Sequence, residues 1–212
     1  MSLVRDYQQW HQAYDDPESG LSWRLATVQG YLRQALDRNL GPMSILSACS
    51  GDGRDVIGVL TERDDADRFT VTLIELHPLI AQQASDSAAA AGLRHLEVRT
   101  ADAGSTDAYL GAVPADLVLL IGIFGNISDG DLRRTIDAAP QLCLPGATLL
   151  WSRGRDRDDR NDDVRARFAE AGFTELDYAT RDTGSRPALG AMRYDGKPQD
   201  LATGRQLFTF LR

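Results

Sequence analysis

From Met43 onward, short apolar runs alternate with stretches whose apolar residues recur every three or four positions. The runs Ser44–Ala48, Thr70–Glu75, Leu93–Arg99, Asp116–Ile121 and Ala147–Ser152 have the length and β-branched character of strands. Between and after them, Gly53–Glu62, Pro78–Ala91, Asp129–Leu142 and Asp162–Ala171 carry helical spacing. Regular alternation of this kind predicts a mostly parallel sheet with helices on both faces. The last two strand-like runs, Thr174–Ala179 and Gln206–Leu211, have no helical pattern between them and suit an antiparallel C-terminal pair separated by a long excursion. The expected fold is therefore α/β and Rossmann-like, with seven strands and an antiparallel end.

Two further helical patterns precede the sheet, Leu3–Tyr14 and Leu21–Leu40, the second with Leu21, Leu25, Val28, Leu32 and Leu36 on one stripe. Asp15 to Gly20 is the turn between them. The chain divides into a helical extension or lid over residues 1–40 and a main domain over 41–212. Tyr7, Trp10, Tyr14, Trp23 and Tyr31 crowd the extension. Either these rings dock the helices onto the sheet, the commoner use of aromatics at helical spacing, or some of them cover a site.

The stretch Ile45-Leu-Ser-Ala-Cys-Ser-Gly-Asp-Gly-Arg-Asp55 joins a strand to a helix through a turn holding two glycines. Such a junction sets free backbone N–H groups and the positive end of a helix dipole beside a loop that a ligand can approach closely. Glu75 ends the second strand-like run, where an open α/β sheet can offer a carboxylate to a ribose diol. The residues just past the ends of the first four strands form one rim: Cys49 to Asp55, Glu75 to His77, Ala101 to Ala103, and Gly122 to Asn126. Glu75 also reads as a solvated strand end, and Asp102 as a cap on the turn at Ala103 or Gly104.

These residues resemble the class I S-adenosylmethionine-dependent methyltransferases, whose loop runs acidic-x-Gly-x-Gly-x-Gly. Here Gly51 and Gly53 match the second and third glycines, while Ser47 replaces the acid and Cys49 the first glycine. The resemblance runs from about Ser44 to the C-terminus. It implies S-adenosylmethionine as cofactor, held by Cys49, Ser50, Gly51, Asp52, Gly53 and Arg54, with Glu75 on the ribose hydroxyls. Leu76 would pack on the adenine, Asp102 would accept from its exocyclic amine, Ala103 would join the same site, and Ile121, Gly122, Ile123 and Phe124 would line the far side near the sulfonium. Tyr14, Arg24, Asn126 and Arg153 are the candidates for contact with the methyl acceptor. A base-amine acceptor is disfavoured, because Gly122 to Asn126 lacks the Asn/Asp-Pro-Pro-aromatic signature of such enzymes. A small-molecule acceptor follows, with no general base required.

Composition narrows the choice further. With 212 residues, 42% of them hydrophobic and 25% charged, the chain is an ordinary single globular domain. Its formal net charge of −8 argues against a nucleic-acid partner. The two cysteines, Cys49 and Cys143, lie in or beside apolar runs and imply neither a disulfide nor a metal site. No signal peptide or membrane span is expected, so a cytoplasmic monomer or homodimer follows by default. The competing reading is a protein that keeps the pocket as a sensor or regulator without transferring the methyl group, which Ser47 and Cys49 motivate. A nicotinamide-dependent oxidoreductase is disfavoured, since Val56 stands where its third loop glycine would fall.

Overall fold

A computed structural model describes residues 16, 18–156 and 158–211. The first predicted helix, Leu3–Tyr14, lies outside the described residues, and so does the candidate Tyr14. The described chain begins at a helix, α1 (Gly20–Arg38). Ser19 caps it by accepting the Ser22 N–H at 3.0 Å.

Seven strands follow: β1 (Met43–Ala48), β2 (Phe69–Glu75), β3 (Leu96–Thr100), β4 (Ala115–Leu120), β5 (Cys143–Gly154), β6 (Phe173–Thr180) and β7 (Pro187–Tyr194). They form one sheet in the order β3-β2-β1-β4-β5-β7-β6. β1 to β5 are parallel, and β7 is antiparallel to both of its neighbours. The helices α2 (Arg54–Thr61), α3 (Pro78–Ala90), α4 (Asp129–Ala138) and α5 (Asn161–Glu170) connect the parallel strands and lead into β6.

The central strands bury both faces, so each separates two cores. Ile45, Val71, Leu73, Leu117 and Leu119 face α1, α2 and α3 through Val28, Leu32, Leu36, Val56, Leu60 and Ala84. Leu46, Ile74, Val118 and Leu120 face α4 and α5 through Ile136, Val164 and Phe168. The apolar stripe of α1 is thus core from Val28 to Leu36. The Tyr31 hydroxyl adds a tie across the same face, donating to Asp177 Oδ2 at 2.8 Å.

The C-terminal pair is where sequence and structure part. The antiparallel partner of β6 is Pro187–Tyr194, not Gln206–Leu211. Pro187–Tyr194 has no β-branched residue and carries Gly190 at its centre, which makes it read as a loop. The glycine is needed because Trp151 lies against it from β5: a Cβ on Gly190 would stand 2.3 Å from Trp151 Nε1. Gln206–Leu211 makes only single bridges, Ser105 with Gln206 and Ile127 with Phe210, and serves a different purpose. Smaller shifts have local causes. α4 stops at Ala138, and a single 3₁₀ turn containing Pro140 follows it, as the missing proline N–H requires. β3 starts at Leu96 because Gly92 turns with φ +71°.

Candidate active site

The strand order reverses between β1 and β4, and in open α/β sheets a crevice forms at the carboxyl ends on either side of such a reversal. A cavity of about 600 Å³ lies there, within the range of small-molecule sites. Its walls include Cys49, Ser50, Gly51, Asp52, Arg54 and Glu75 from the first two strand ends, Gly122 and Asn126 after β4, and Arg24 from α1. Nine residues anticipated from sequence therefore meet in one cavity.

The loop after β1 is held by its own backbone and by Glu75. Ser50 N–H donates to the Ile74 carbonyl at 2.9 Å and Gly53 N–H to the Ser50 carbonyl at 3.1 Å. Gly51 N–H donates to Glu75 Oε2 at 3.0 Å, and His77 N–H to Glu75 Oε1 at 2.8 Å. Each carboxylate oxygen has two acceptor sites, so one on each remains to face the cavity. Cys49 takes φ +53° and Gly51 φ +60°. Cys49 thus adopts the left-handed conformation that a glycine would take without cost. Burial pushes its thiol well above the usual range, with the Glu75 and Asp102 charges adding to the effect. A thiol held in its neutral form is a poor nucleophile.

Gly53 behaves differently. It is buried behind the loop at φ +71°, and a Cβ there would meet Leu73 Cδ1 at 2.7 Å and Ile57 Cδ1 at 2.8 Å. Its requirement is helix-to-strand packing. Ala103, Ile123 and Phe124 are likewise buried behind the wall, at 3%, 0% and 1% exposure. Phe124 packs on Trp151 and Phe168 with ring centroids 6.1 Å from each. Leu76 is 62% exposed beside Glu75 but outside the cavity. Asp102 is exposed at the end of β3, where its Oδ1 accepts the Gly104 N–H at 2.8 Å, so it does cap that turn. Arg153 also stands outside, with Nη1 donating to the Asp158 carbonyl at 2.5 Å.

Asp55, expected on the rim, and Ile121, expected near the sulfonium, line the cavity too, while several wall residues were not anticipated: Leu21, Leu25 and Val28 from α1, Ser47, Ile80, and Phe210 with Leu211 near the C-terminus. The two leucines of α1 extend the stripe seen in sequence, and only its upper end turns toward the cavity. Asp55, in the first turn of α2, is 9% exposed. Desolvation pushes its carboxyl up to about 6, opposed by a 2.8 Å hydrogen bond from the Val56 N–H and reinforced by the Asp52 charge. Asp52 itself is paired with Arg54, Nη2 to Oδ2 at 2.5 Å. Gln29 Nε2 donates to the Arg54 carbonyl at 3.1 Å and ties α1 to the loop. On the far side, the Ser152 hydroxyl accepts the Gly122 N–H at 2.9 Å, and Asn126 Nδ2 donates to the Gly122 carbonyl at 2.8 Å.

No protein-family model matches the sequence, and no curated protein matches it. Solved structures match in fold. The magnesium protoporphyrin IX methyltransferase of Synechocystis PCC 6803, solved with bound S-adenosylmethionine, aligns with a TM-score of 0.68 at 15% identity over 90% of this chain and 92% of that one. The 1,6-didemethyltoxoflavin-N1-methyltransferase of Burkholderia thailandensis, with its substrate and S-adenosylhomocysteine bound, aligns with a TM-score of 0.68 at 15% identity over 92% of this chain and 86% of that one. An O-methyltransferase family protein from Burkholderia thailandensis reaches 0.65 at 17% identity, over 92% of this chain and 62% of that one. The fold is the Rossmann-like fold that these methyltransferases share.

Proposed function

We propose that this protein is an S-adenosylmethionine-dependent methyltransferase acting on a small-molecule acceptor. The observation that carries the reading is the clasp between Gly51 and Glu75 at the mouth of the cavity: a carboxylate fixed by two backbone N–H groups, with one acceptor site left on each oxygen. That donor set fits a ribose diol, and the left-handed Gly51 beside it lets the cofactor backbone come close. Two proteins of the same fold were solved with S-adenosylmethionine or S-adenosylhomocysteine bound, which supports the same choice of cofactor.

In this reading Cys49, Ser50, Gly51, Asp52 and Arg54 form the floor for the methionine end and Gly122 its far wall. Leu76 and Asp102 extend the site outward to the adenine. Gly53, Ala103, Ile123 and Phe124 support these contacts from behind. When bound, S-adenosylmethionine supplies a methyl group already activated on a sulfonium. What the chain adds is alignment and exclusion of water. α1 lies over the cavity through Leu21, Arg24, Leu25 and Val28 and serves as its lid. Tyr14, Arg24 and Asn126 remain the candidates for polar contact with the acceptor, while Arg153, outside the cavity and bonded to the Asp158 carbonyl, is left out. The net charge of −8 favours a small molecule over nucleic acid. No described helix is long and apolar enough to cross a membrane. A cytoplasmic location belongs to the same reading.

Calorimetry with S-adenosylmethionine and S-adenosylhomocysteine tests the cofactor. Transfer of a labelled methyl group to an acceptor from a small-molecule extract separates the enzyme from a sensor that only binds. A folded protein with no heat of binding for either compound would refute the proposal.

A further inference from the structure

The run Gln206–Leu211 is not spent in the sheet, and its path gives it a role at the site. After β7 the chain returns across the carboxyl edge as a strap. It is pinned first to the loop after β3: Thr106 N–H donates to the Arg205 carbonyl at 2.9 Å, and Leu207 N–H to the Gly104 carbonyl at 2.7 Å. It is pinned next to the segment after β4, where Leu211 N–H donates to the Asn126 carbonyl at 2.8 Å and Thr209 N–H to Asp131 Oδ2 at 3.2 Å. Leu207 and Phe208 are buried under this crossing at 3% and 2% exposure. The approach is tight enough that a Cβ on Gly104 would stand 2.3 Å from the Phe208 carbonyl oxygen.

The strap ends on the cavity. Phe210 and Leu211 line it while remaining 43% and 65% exposed. Leu21 and Leu25 line the same cavity from α1, and Ile121 from the end of β4. Polar groups line the cavity on the loop after β1, where Asp52 pairs with Arg54, at Glu75, which holds two backbone N–H groups, and at Arg24 and Asn126, the latter bonded to the Gly122 carbonyl. What is left beside them is an apolar jaw with an aromatic ring on one side, presented to solvent and ready to be covered.

We infer that this jaw is the acceptor subsite, and that it takes a molecule with a flat aromatic body. Phe210 and Leu211 of the strap form one wall, and Leu21 and Leu25 of α1 the other. Burial of an aromatic face against such walls is the strongest interaction they can make. The inference rests on the methyltransferase reading, because it takes the Glu75 end of the cavity as the cofactor's.

The test uses 2-naphthol as probe, titrated by fluorescence into the full-length protein saturated with S-adenosylhomocysteine, with cofactor affinity measured separately by calorimetry. Saturable naphthol binding is expected, weakened at least tenfold by Phe210→Ala and by Leu21→Ala, with S-adenosylhomocysteine affinity unchanged in both. The aliphatic cation 6-aminohexanoate methyl ester should not compete. Cofactor binding without naphthol binding, or equal naphthol affinity in the wild type and in either folded variant, overturns the acceptor wall alone. Failure of S-adenosylhomocysteine to bind overturns the function and this inference together. Phe210 is partly exposed, so its truncation tests the wall with little risk to folding.

Discussion

The Gly51 N–H and the Glu75 carboxylate meet at 3.0 Å, which locks the loop after β1 to the end of β2. One side chain thereby shapes the loop and presents acceptor sites to the cavity. Glu75→Gln keeps an oxygen but loses the charge, and each charge-assisted hydrogen bond lost costs about 1.5 to 3 kcal/mol. Affinity for S-adenosylmethionine should fall about tenfold or more. Calorimetry on a variant with an unchanged circular dichroism spectrum checks this, and an unaltered dissociation constant removes Glu75 from the site.

Gly51 and Gly53 should separate in their effects. Gly53→Ala forces a side chain into φ +71° against Leu73 and Ile57, a strain of about 1 to 2 kcal/mol. Its melting temperature should drop by roughly 2 to 8 °C. Gly51→Val should abolish cofactor binding, because the loop backbone at Gly51 lines the cavity itself. Both variants carry left-handed strain, Gly51 lying at φ +60°, so calorimetry distinguishes them: a folded Gly53→Ala that loses cofactor affinity as fully as Gly51→Val would contradict the division.

Asp55 should make stability pH-dependent. Its carboxyl ionises near 3.8 in the unfolded chain and at about 6 in the folded one. The folded state holds the proton more tightly, so ionisation opposes folding. The Asp55 contribution is most favourable below about pH 4, declines as pH rises to about 6, and is constant above that. The gap corresponds to about 3 kcal/mol. Asp55→Asn should therefore be more stable than wild type by about 1 to 3 kcal/mol at pH 7.5, and the gain should vanish near pH 4. Denaturant titrations at the two pH values give the answer, and a gain independent of pH would exclude a buried charge at Asp55.

Tyr31 and Asp177 join α1 to β6 through a single hydrogen bond of 2.8 Å. Tyr31→Phe should cost about 0.5 to 1.5 kcal/mol, and Asp177→Asn less than that when Tyr31 is already Phe. A double-mutant cycle measures the coupling. Additive effects would mean that the contact does not hold the helix in place.

The sequence by itself determined the parallel half of the sheet, because β1, β2 and β4 are buried on both faces and a continuous apolar run can mean little else once helices flank it. It also located the loop after β1 and Glu75, since backbone dihedrals and strand ends are local properties that glycine placement and run length report directly. The tertiary structure decided the rest. Pro187–Tyr194 became an interior strand because Trp151, on a neighbouring strand, left room only for Gly190. Gln206–Leu211, with the better strand pattern, became the strap because β7 already fills the place between β5 and β6. Among the loop residues, Ile123 and Phe124 turned inward to the aromatic cluster of Trp151 and Phe168, while Phe210 and Leu211 took their place on the cavity wall. Hydrophobic periodicity records that a face is covered. It carries no record of which distant segment covers it, because that is settled by the shapes and volumes that meet only when the chain has folded.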